Sequence, residues 1–311
     1  MSTVKIFAGT GTTLLSEKIA HFFGKPLGKC SSKRFSDGEI NFYFEETVRG
    51  CDVFLIQSTN PPAENLTELL LMTDAAKRAS AASVTVVVPY YGYARQDRKD
   101  KPRVAIAAKL MANLLSAAGA GRIMTCDLHA GQIQGFFDFP VDHLDGASIF
   151  VPYIKNLNLD NLIIASPDVG GSARARTYAK YFNAEMVICD KHRKRANEIA
   201  SMQVIGDVSD ANVILVDDMI DTAGTICRAA GILKEKGATS VSAVCTHGVL
   251  SGKAYENIEG SELEEVIVTD TIAPKKESSK IKVLTVADLF AKAIRKIHDH
   301  ESISSLFIRN N

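Results

Sequence analysis

The sequence predicts an α/β protein built from two mostly parallel sheets, each flanked by helices. Short apolar runs alternate with amphipathic segments along all 311 residues, which is typical of parallel strands joined by helical crossovers. The apolar run at residues 213–216 is followed at once by Asp217 and Asp218, and then by a loop of small and hydroxyl residues. Ligands of open parallel sheets bind outside the carboxyl ends of the strands. We therefore expect a binding site at this loop.

Each element follows from the period of its apolar residues. In the first half, strands are predicted at residues 4–7, 40–44, 53–57, 84–88 and 122–125, and helices at 13–23, 64–78 and 104–118. In the second half, strands are predicted at 162–165, 185–189, 213–216, 241–246, 266–268 and 282–284, and helices at 148–156, 172–181, 223–236 and 286–298. A new helix follows residue 145 without a low-complexity linker, so we predict two domains, residues 1–145 and 146–311.

Composition and charge exclude several classes of protein. Hydrophobic residues make up 46% of the chain and charged residues 23%, as in ordinary globular proteins. The 36 basic and 36 acidic residues cancel, so charge gives no support for a nucleic-acid or membrane partner. The apolar runs are too short to span a bilayer, and the N-terminus lacks the apolar core of a signal peptide. Six scattered cysteines without a Cys-x-x-Cys pair indicate reduced thiols. We expect a cytoplasmic protein.

Two common nucleotide-binding motifs are incomplete. Gly28-Lys29-Cys30 is the nearest approach to a P-loop, but Phe23 stands in place of the first glycine and Cys30 in place of the metal-binding hydroxyl. Gly9 and Gly11 follow a predicted strand, yet Leu14 replaces the third glycine of a dinucleotide fingerprint. Both segments are interpreted as ordinary strand-to-helix turns.

The segment after the strand at 213–216 favours a sugar phosphate as ligand. Its loop, which precedes a helix, offers backbone N–H groups and hydroxyls to a phosphate. Asp217 and Asp218 would repel a phosphate, and are suited to accept hydrogen bonds from sugar hydroxyls or to hold a metal through water. A solvated acidic turn with Asp221 or Thr222 as helix N-cap is the structural alternative. The loop residues are Asp221, Thr222, Ala223, Gly224 and Thr225.

Four further loops follow predicted strands and carry polar groups. His129, in Asp127-Leu-His129, is a candidate ligand for a divalent metal, or a structural histidine bonded to a carbonyl. In Ser166-Pro-Asp168-Val-Gly-Gly171, the glycines permit close approach of an anion and Asp168 could hold a metal. The basic runs at residues 95–101 and 191–195 are solvated faces in isolation. Together with the other loops they would supply the cations that polyphosphate chemistry needs.

The ordered set of motifs resembles the ribose-phosphate pyrophosphokinase family over nearly the whole chain, and the segment 213–225 resembles the ribose-5-phosphate signature of type I phosphoribosyltransferases. The matching motifs are Phe35-Ser-Asp37-Gly-Glu39, Arg95-Gln96-Asp97-Arg-Lys, Asp127-Leu-His129-Ala, Gln132-Ile-Gln-Gly-Phe-Phe, Asp168-Val-Gly-Gly, Lys191-His-Arg193, Asp217-Asp218-Met-Ile-Asp221-Thr-Ala-Gly-Thr225 and Ser302-Ile-Ser-Ser-Leu-Phe307. The resemblance implies two tandem domains of the type I phosphoribosyltransferase fold, the first on the ATP side and the second on the ribose 5-phosphate side.

The resemblance also implies an activity and a set of residue roles. It implies transfer of the β,γ-diphosphoryl group of ATP to the C1 hydroxyl of ribose 5-phosphate with Mg²⁺, giving AMP and 5-phosphoribosyl 1-diphosphate for nucleotide, histidine and tryptophan biosynthesis. Residues 221–225 would hold the 5-phosphate, and Asp217 and Asp218 the ribose hydroxyls. The remaining implied roles are ATP binding by Phe35, Asp37, Glu39, Arg95, Gln96 and Asp97, metal binding by His129 and Asp168, and charge stabilisation by Lys191 and Arg193.

Regulation and assembly are implied by the same resemblance. The family members are commonly activated by inorganic phosphate and inhibited by ADP, and they form homo-oligomers, a hexamer being expected, in which the ATP site is shared between subunits. The candidate effector residues are Arg49, Gln134, Asp142, His143, Ser302, Ser304 and Phe307.

Two other functions are compatible with part of the sequence. A phosphoribosyltransferase that consumes the activated sugar would share residues 217–225, but would not need the motifs at residues 35–39 and 95–99 or a second domain. A non-catalytic regulatory partner would keep the fold, and loss of His129, Lys191 or Arg193 would favour it. All three residues are present.

Overall fold

The computed structural model describes residues 3–192 and 201–308. Its strands are β1 Val4–Ala8, β2 Cys30–Arg34, β3 Ile40–Phe44, β4 Asp52–Ile56, β5 Ser83–Val88, β6 Arg122–Cys126, β7 Val141–Leu144, β8 Leu162–Ser166, β9 Glu185–His192, β10 Ser201–Ile205, β11 Asn212–Ile220, β12 Ser240–Gly248, β13 Val266–Thr269 and β14 Ile281–Leu284. Its helices are α1 Thr13–Phe23, α2 Glu64–Arg78, α3 Ala107–Ala118, α4 Ala147–Asn156, α5 Ser172–Phe182, α6 Gly224–Glu235, α7 Ala254–Glu259 and α8 Ala287–His298, with 3₁₀ turns at Thr10–Thr12, Gly131–Phe136 and Ile303–Leu306.

The chain divides into two compact units. Unit 1 comprises the described residues within Met1–Asp145, Thr271–Ala273 and Val286–Phe307, and unit 2 those within Gly146–Asp270, Pro274–Thr285 and Ile308–Asn311. Residues 286–307, which the sequence analysis placed in the second domain, therefore belong to unit 1. The apolar period of α8 predicted a helix, but periodicity is local and does not identify the element against which a helix packs. In the structure α8 packs along α1.

Unit 1 contains a five-stranded parallel sheet in the order β1-β4-β5-β6-β7. Its core is formed by the inward side chains of the strands and of the covering helices, among them Phe7, Leu55, Met72, Leu115 and Ile123. Helices α1 and α3 each end at a glycine in the left-handed conformation, with φ of 84° at Gly24 and 108° at Gly119, which costs glycine little because it has no Cβ. A separate hairpin sheet pairs β2 with β3.

Unit 2 contains a seven-stranded sheet in the order β10-β9-β8-β11-β12-β13-β14, parallel except for the β9–β10 pair. One face of the sheet is covered by α6, with Ile226 and Leu233 in the core, and the other by α4 and α5, with Phe150 and Tyr178. Strands buried on both faces explain the continuous apolar runs in the sequence.

The prediction of an α/β fold with mostly parallel, helix-flanked sheets is confirmed. Four elements were not predicted. Strands β2, β7 and β10 and the short helix α7 lack a clear apolar period: β2, for example, reads Cys-Ser-Ser-Lys-Arg and is stabilised by antiparallel pairing with β3. Strand β11 extends through Ile220, where the prediction ended it at residue 216, because β11 and β12 stay paired as far as Ile220 and Gly248.

No helix within residues 3–192 and 201–308 is long and apolar enough to cross a bilayer. The six cysteines, all within the described residues, form no disulfide, and four of them are buried.

Candidate functional site

The carboxyl edge of the unit 2 sheet brings together the acidic pair and the loop at residues 167–171. Strands β8 and β11 are parallel neighbours, paired from Leu162 and Asn212 to Ala165 and Leu215. Beyond Leu215, β11 continues along β12 while β8 turns into the loop. Asp217 and Asp218 therefore lie in the part of β11 that extends past its pairing with β8, beside the start of α5.

The acidic pair is contacted by a cation from α5. Nη1 of Arg174 lies 3.1 Å from Oδ1 of Asp218 and 4.0 Å from Oδ1 of Asp217. The Asp218 side chain is 6% exposed and that of Asp217 24%. The backbone N–H of Asp218 donates to Oδ1 of Asp217 at 2.8 Å. Burial raises the pKa of Asp217 well above its usual range, and the Asp218 carboxylate raises it further, while Arg174 opposes the shift.

The loop at residues 221–225 presents the start of α6. Ala223 is the N-cap, in the left-handed conformation with φ of 62°, and among the described residues no side chain caps the helix. The structural alternative, in which Asp221 or Thr222 is the helix N-cap, is therefore wrong in this respect. Gly224 and Thr222 are exposed and Thr225 is half-buried. The uncapped N–H groups of this helix start are suited to bind an anion.

Two residues that the sequence analysis did not identify hold this loop. Nδ2 of Asn257, on α7, donates to the carbonyl of Thr222 at 2.9 Å. The Ser251 hydroxyl donates to the Asp221 carboxylate, and the Ser251 N–H donates to the Asp221 carbonyl at 2.9 Å. Both contacts join residues about thirty positions apart, so no local pattern signals them.

The loop at residues 167–171 is held in place by two hydrogen bonds that join side chains to its backbone. Oδ1 of Asp168 accepts from the Gly171 N–H at 2.9 Å, and the Ser166 hydroxyl donates to the Asp168 carbonyl at 2.6 Å. A Cβ at Gly171 would come within 2.9 Å of Oγ of Ser166, so glycine is required by this close approach. Asp168 is exposed and stands next to the helix that carries Arg174.

At the carboxyl edge of the unit 1 sheet, β6 leads into the turn that holds His129. Asp127 is buried and has φ of 38°, a strained conformation that is common at functional turns. The Leu128 N–H donates to Nε2 of His143 at 2.9 Å, so His143 supports this turn. His129 is exposed.

The loop after β5 lies at the same edge, because β5 and β6 are parallel neighbours. Arg95 and Gln96 are exposed, and Oδ2 of Asp97 accepts from Nε2 of Gln132 at 3.2 Å. The structure thus connects the 95–97 loop to the turn after β6, as the sequence analysis expected for residues at one edge of a sheet.

The segment at residues 35–39 forms the turn of the β2–β3 hairpin. The Phe35 N–H donates to the Glu39 carbonyl at 2.9 Å, and the Glu39 N–H donates to Oδ1 of Asp37 at 3.1 Å. The Phe35 ring is 54% exposed. A rigid turn that presents an aromatic ring to solvent is suited to stack on a planar ligand or to contact a partner.

Lys191 and Arg193 are described only in part. Lys191 lies in β9, where its backbone pairs with Met202 of β10. Its side chain and the whole of Arg193 lie outside the described part of the chain, so their roles stay predictions.

Most of the candidate effector residues have structural partners. Asp142 is buried and pairs with Arg122, whose Nη1 lies 2.8 Å from Oδ2 of Asp142. Nε2 of Gln134 donates to the Gly131 carbonyl at 3.0 Å, and Oγ of Ser302 accepts from the Ser304 N–H at 3.2 Å at the start of a 3₁₀ turn. Arg49 is exposed and Phe307 half-buried. These contacts do not test an effector role.

Within residues 3–192 and 201–308, no cluster of three or more histidine, cysteine or carboxylate side chains is arranged to hold a metal ion. Mg²⁺ is commonly held by one or two carboxylates together with substrate phosphates and waters. The Asp168 carboxylate is exposed and lies in a glycine-containing loop that permits close approach of a phosphate. It is therefore suited to hold Mg²⁺ together with substrate phosphates and waters.

Comparison with known proteins identifies the family. The family described as the N-terminal domain of ribose phosphate pyrophosphokinase matches residues 4–119, and the phosphoribosyl synthetase-associated domain matches residues 168–308. The chain is similar to a ribose-phosphate pyrophosphokinase of Porphyromonas gingivalis, with 56% identity over 97% of both chains. A second relative of the same name, from Campylobacter jejuni, is 56% identical over 99% of this chain and 100% of its own.

A solved structure leads to the same family. The crystal structure of phosphoribosylpyrophosphate synthetase from Mycobacterium smegmatis superposes with a TM-score of 0.91 at 39% identity, covering 96% of this chain and 100% of that one. The resemblance stated from the sequence motifs is thereby confirmed. The chain belongs to the ribose-phosphate pyrophosphokinase family of enzymes.

Proposed function

We propose that the protein transfers the β,γ-diphosphoryl group of ATP to the C1 hydroxyl of ribose 5-phosphate, giving AMP and 5-phosphoribosyl 1-diphosphate. The observation that carries this proposal is the unit 2 sheet edge, where the buried Asp218 and the partly buried Asp217 lie close in sequence to a helix start without a side-chain cap. Carboxylates accept hydrogen bonds from sugar hydroxyls, and a helix start binds phosphate. Relatives that match over nearly the whole chain carry the name of this activity.

In this proposal the sugar phosphate binds along the carboxyl end of β11. Residues 221–225 hold the 5-phosphate through backbone N–H groups and the hydroxyls of Thr222 and Thr225. Asp217 and Asp218 accept from the ribose hydroxyls and so orient the C1 oxygen. Ser251 and Asn257 keep the phosphate loop in place through the hydrogen bonds to Asp221 and Thr222.

The ATP side is assigned to unit 1 and to the loop at residues 168–171. Arg95, Gln96 and Asp97 would contact the nucleotide, with Arg95 directed to its phosphates. The hairpin turn with Phe35, Asp37 and Glu39 would hold the adenine ring of the ATP that is bound at a neighbouring subunit. The exposed Phe35 ring supports this role. A shared site would make activity depend on a homo-oligomer, and we propose a hexamer.

Transfer requires the C1 oxygen to attack the β-phosphorus while the bond between that phosphorus and the α-phosphate oxygen breaks, so that AMP leaves and the hydroxyl loses its proton. Negative charge spreads over the oxygens of the transferring group. Lys191 and Arg193 supply fixed positive charge to that group. His129 and Asp168 are the proposed ligands for Mg²⁺, which would neutralise charge on the substrate phosphates. Inorganic phosphate is proposed as an activator that acts through the effector residues named above.

The test is AMP release by the purified chain with ATP and Mg²⁺, with and without ribose 5-phosphate. We expect AMP only when the sugar phosphate is present. ADP in place of AMP would identify an ordinary kinase and contradict the mechanism. No AMP from folded protein supplemented with inorganic phosphate would favour a regulatory partner, and consumption of 5-phosphoribosyl 1-diphosphate together with a nucleobase would identify a phosphoribosyltransferase.

The conformation of Ala223 gives a test of the phosphate loop. A β-branched residue is poorly tolerated at φ of 62°, so Ala223→Val should displace the N–H groups at the start of α6. We expect the KM for ribose 5-phosphate to rise by about 10-fold or more while the KM for ATP changes by less than about 3-fold, since a charge-assisted hydrogen bond contributes roughly 1.5–3 kcal/mol.

Ala223→Gly is the matched control, because glycine adopts positive φ at little cost. Steady-state kinetics with each substrate varied in turn would distinguish the outcomes. Equal rises in both KM values for Ala223→Val would argue against a phosphate site at this loop.

A further inference from the structure

Arg174 makes an ion-pair contact with the acidic pair that has no role yet in the proposed function. It lies on α5, two residues after the helix begins at Ser172. From there its guanidinium reaches β11, with Nη1 3.1 Å from Oδ1 of Asp218 and 4.0 Å from Oδ1 of Asp217. The Arg174 side chain is 21% exposed, so this is a largely desolvated contact and not a surface ion pair.

The position of Arg174 in its helix is electrostatically unfavourable. The N-terminus of a helix carries partial positive charge, which favours acidic side chains in the first turn and disfavours cations. The first turn of α5 contains no acidic residue. The two carboxylates of Asp217 and Asp218 offset this unfavourable interaction, so the position of the Arg174 guanidinium depends on its contact with the acidic pair.

The acidic pair, in turn, depends on a nearby cation. Two carboxylates on adjacent residues of a buried strand repel each other and lose hydration, and both effects favour protonation. The pKa of Asp217 is raised by burial and then by Asp218, with Arg174 acting in the opposite direction. A protonated carboxyl carries an O–H that donates a hydrogen bond. A sugar hydroxyl that itself donates needs an oriented carboxylate oxygen as its acceptor.

The helix that carries Arg174 also continues from the loop that contains Asp168. Helix α5 begins directly after Gly171, the last residue of the loop with Asp168. A Cβ placed on Gly171 would lie 3.7 Å from Oδ1 of Asp168 and 3.9 Å from Oδ1 of Asp217, so the loop and the acidic pair are in close proximity. A shift of α5 that breaks the Arg174 contact would therefore move this loop relative to the acidic pair.

We infer that Arg174 is a positioning residue that fixes Asp217 and Asp218 as acceptors for the sugar hydroxyls, and that it thereby sets the preference of the site for ribose 5-phosphate over a sugar phosphate that lacks the 2-hydroxyl. This inference rests on the proposed function of the acidic pair. It extends that function by naming the residue that would set the choice between the two sugars.

The test measures binding of two sugar phosphates by isothermal titration calorimetry to the full chain. The probes are ribose 5-phosphate and 2-deoxyribose 5-phosphate, and the variants are Arg174→Gln and Arg174→Lys. We expect the wild type to prefer ribose 5-phosphate by at least about 10-fold, since a site built to bind a hydroxyl rejects the analogue that lacks it. In Arg174→Gln the ratio of the two Kd values should fall to within about 3-fold, because only the ribose complex weakens.

Arg174→Lys keeps the charge but loses the planar fork, so it should retain an intermediate ratio. It also provides the test if Arg174→Gln does not fold, which circular dichroism and Tm would show. The matched control is Arg176→Gln, an exposed arginine on the same helix, which should leave the ratio within about 2-fold of the wild type because exposed charges are screened.

The outcomes separate this inference from the function on which it rests. Equal weakening of both sugar phosphates in Arg174→Gln would show a merely structural role and overturn the inference, as would the same loss of preference in Arg176→Gln. A wild type that binds ribose 5-phosphate and releases AMP while Arg174→Gln keeps the full preference would overturn the inference alone. A wild type that binds neither sugar phosphate would overturn the proposed function and the inference with it.

Discussion

Replacing Lys191 or Arg193 by alanine is expected to lower kcat by at least ~100-fold with little change in either KM. Both residues belong to the basic run at residues 191–195, which begins within the last two residues of β9. Charge on the transferring diphosphoryl group develops as the reaction proceeds, so a fixed cation directed at it stabilises the transition state more than the bound substrates. Removal of one such charge-stabilising donor typically costs about 10²–10³ in kcat.

Single-turnover and steady-state measurements of AMP release, with ATP and ribose 5-phosphate each varied, would check this expectation. Lys194→Ala is the matched control, because it removes the same charge from the same run and should keep kcat within about 3-fold. A higher KM with an unchanged kcat would mean that the cation binds the ground state and transition state equally. Near-normal turnover of both variants would contradict the proposal that Lys191 and Arg193 stabilise charge on the transferring group.

The sequence predicts most of the parallel sheets because their strands carry strong local signals. The run at residues 213–216 is continuous and apolar since β11 is buried on both faces, and the polar loops after such runs locate the carboxyl edge. Strand β2, in contrast, has an exposed and polar side, and its stability comes from backbone pairing with β3. Such pairing leaves no period in the sequence of β2 alone.

In the candidate site, too, some features can be predicted from residues that are adjacent in sequence, whereas others depend on contacts between residues far apart in sequence. The acids, the glycines and the small phosphate loop are adjacent in sequence, and their chemistry is readable from residue type. The contacts of Arg174 with Asp218 and of Asn257 with Thr222 span 44 and 35 positions, and no local pattern predicts them. One signal for Arg174 was present: a cation in the first turn of a helix opposes the helix dipole and calls for a reason.

Helix α8 gives the prediction with the largest expected effect on stability. Phe290, on α8, is fully buried. Arg295 on the same helix donates to the Phe23 carbonyl at 2.6 Å, and its guanidinium lies 4.8 Å from the centre of the Phe23 ring. Nδ1 of His298 lies 3.0 Å from Oδ2 of Asp52. We expect Phe290→Ala to lower the free energy of unfolding by about 3–5 kcal/mol, the usual effect of truncating a fully buried phenylalanine.

Hydrogen exchange would show where that destabilisation occurs, which matters because a chain with two compact units need not unfold in one step. Since α8 packs along α1 and belongs to unit 1, protection should fall in α1 and α8 and persist in β11 and β12. Lys292→Ala, on the exposed side of the same helix, should change stability by less than about 0.5 kcal/mol. Loss of protection centred on β13 and β14, the strands that precede α8 in sequence, would instead place this helix with the second half of the chain, as the predicted domain boundary at residue 145 implied.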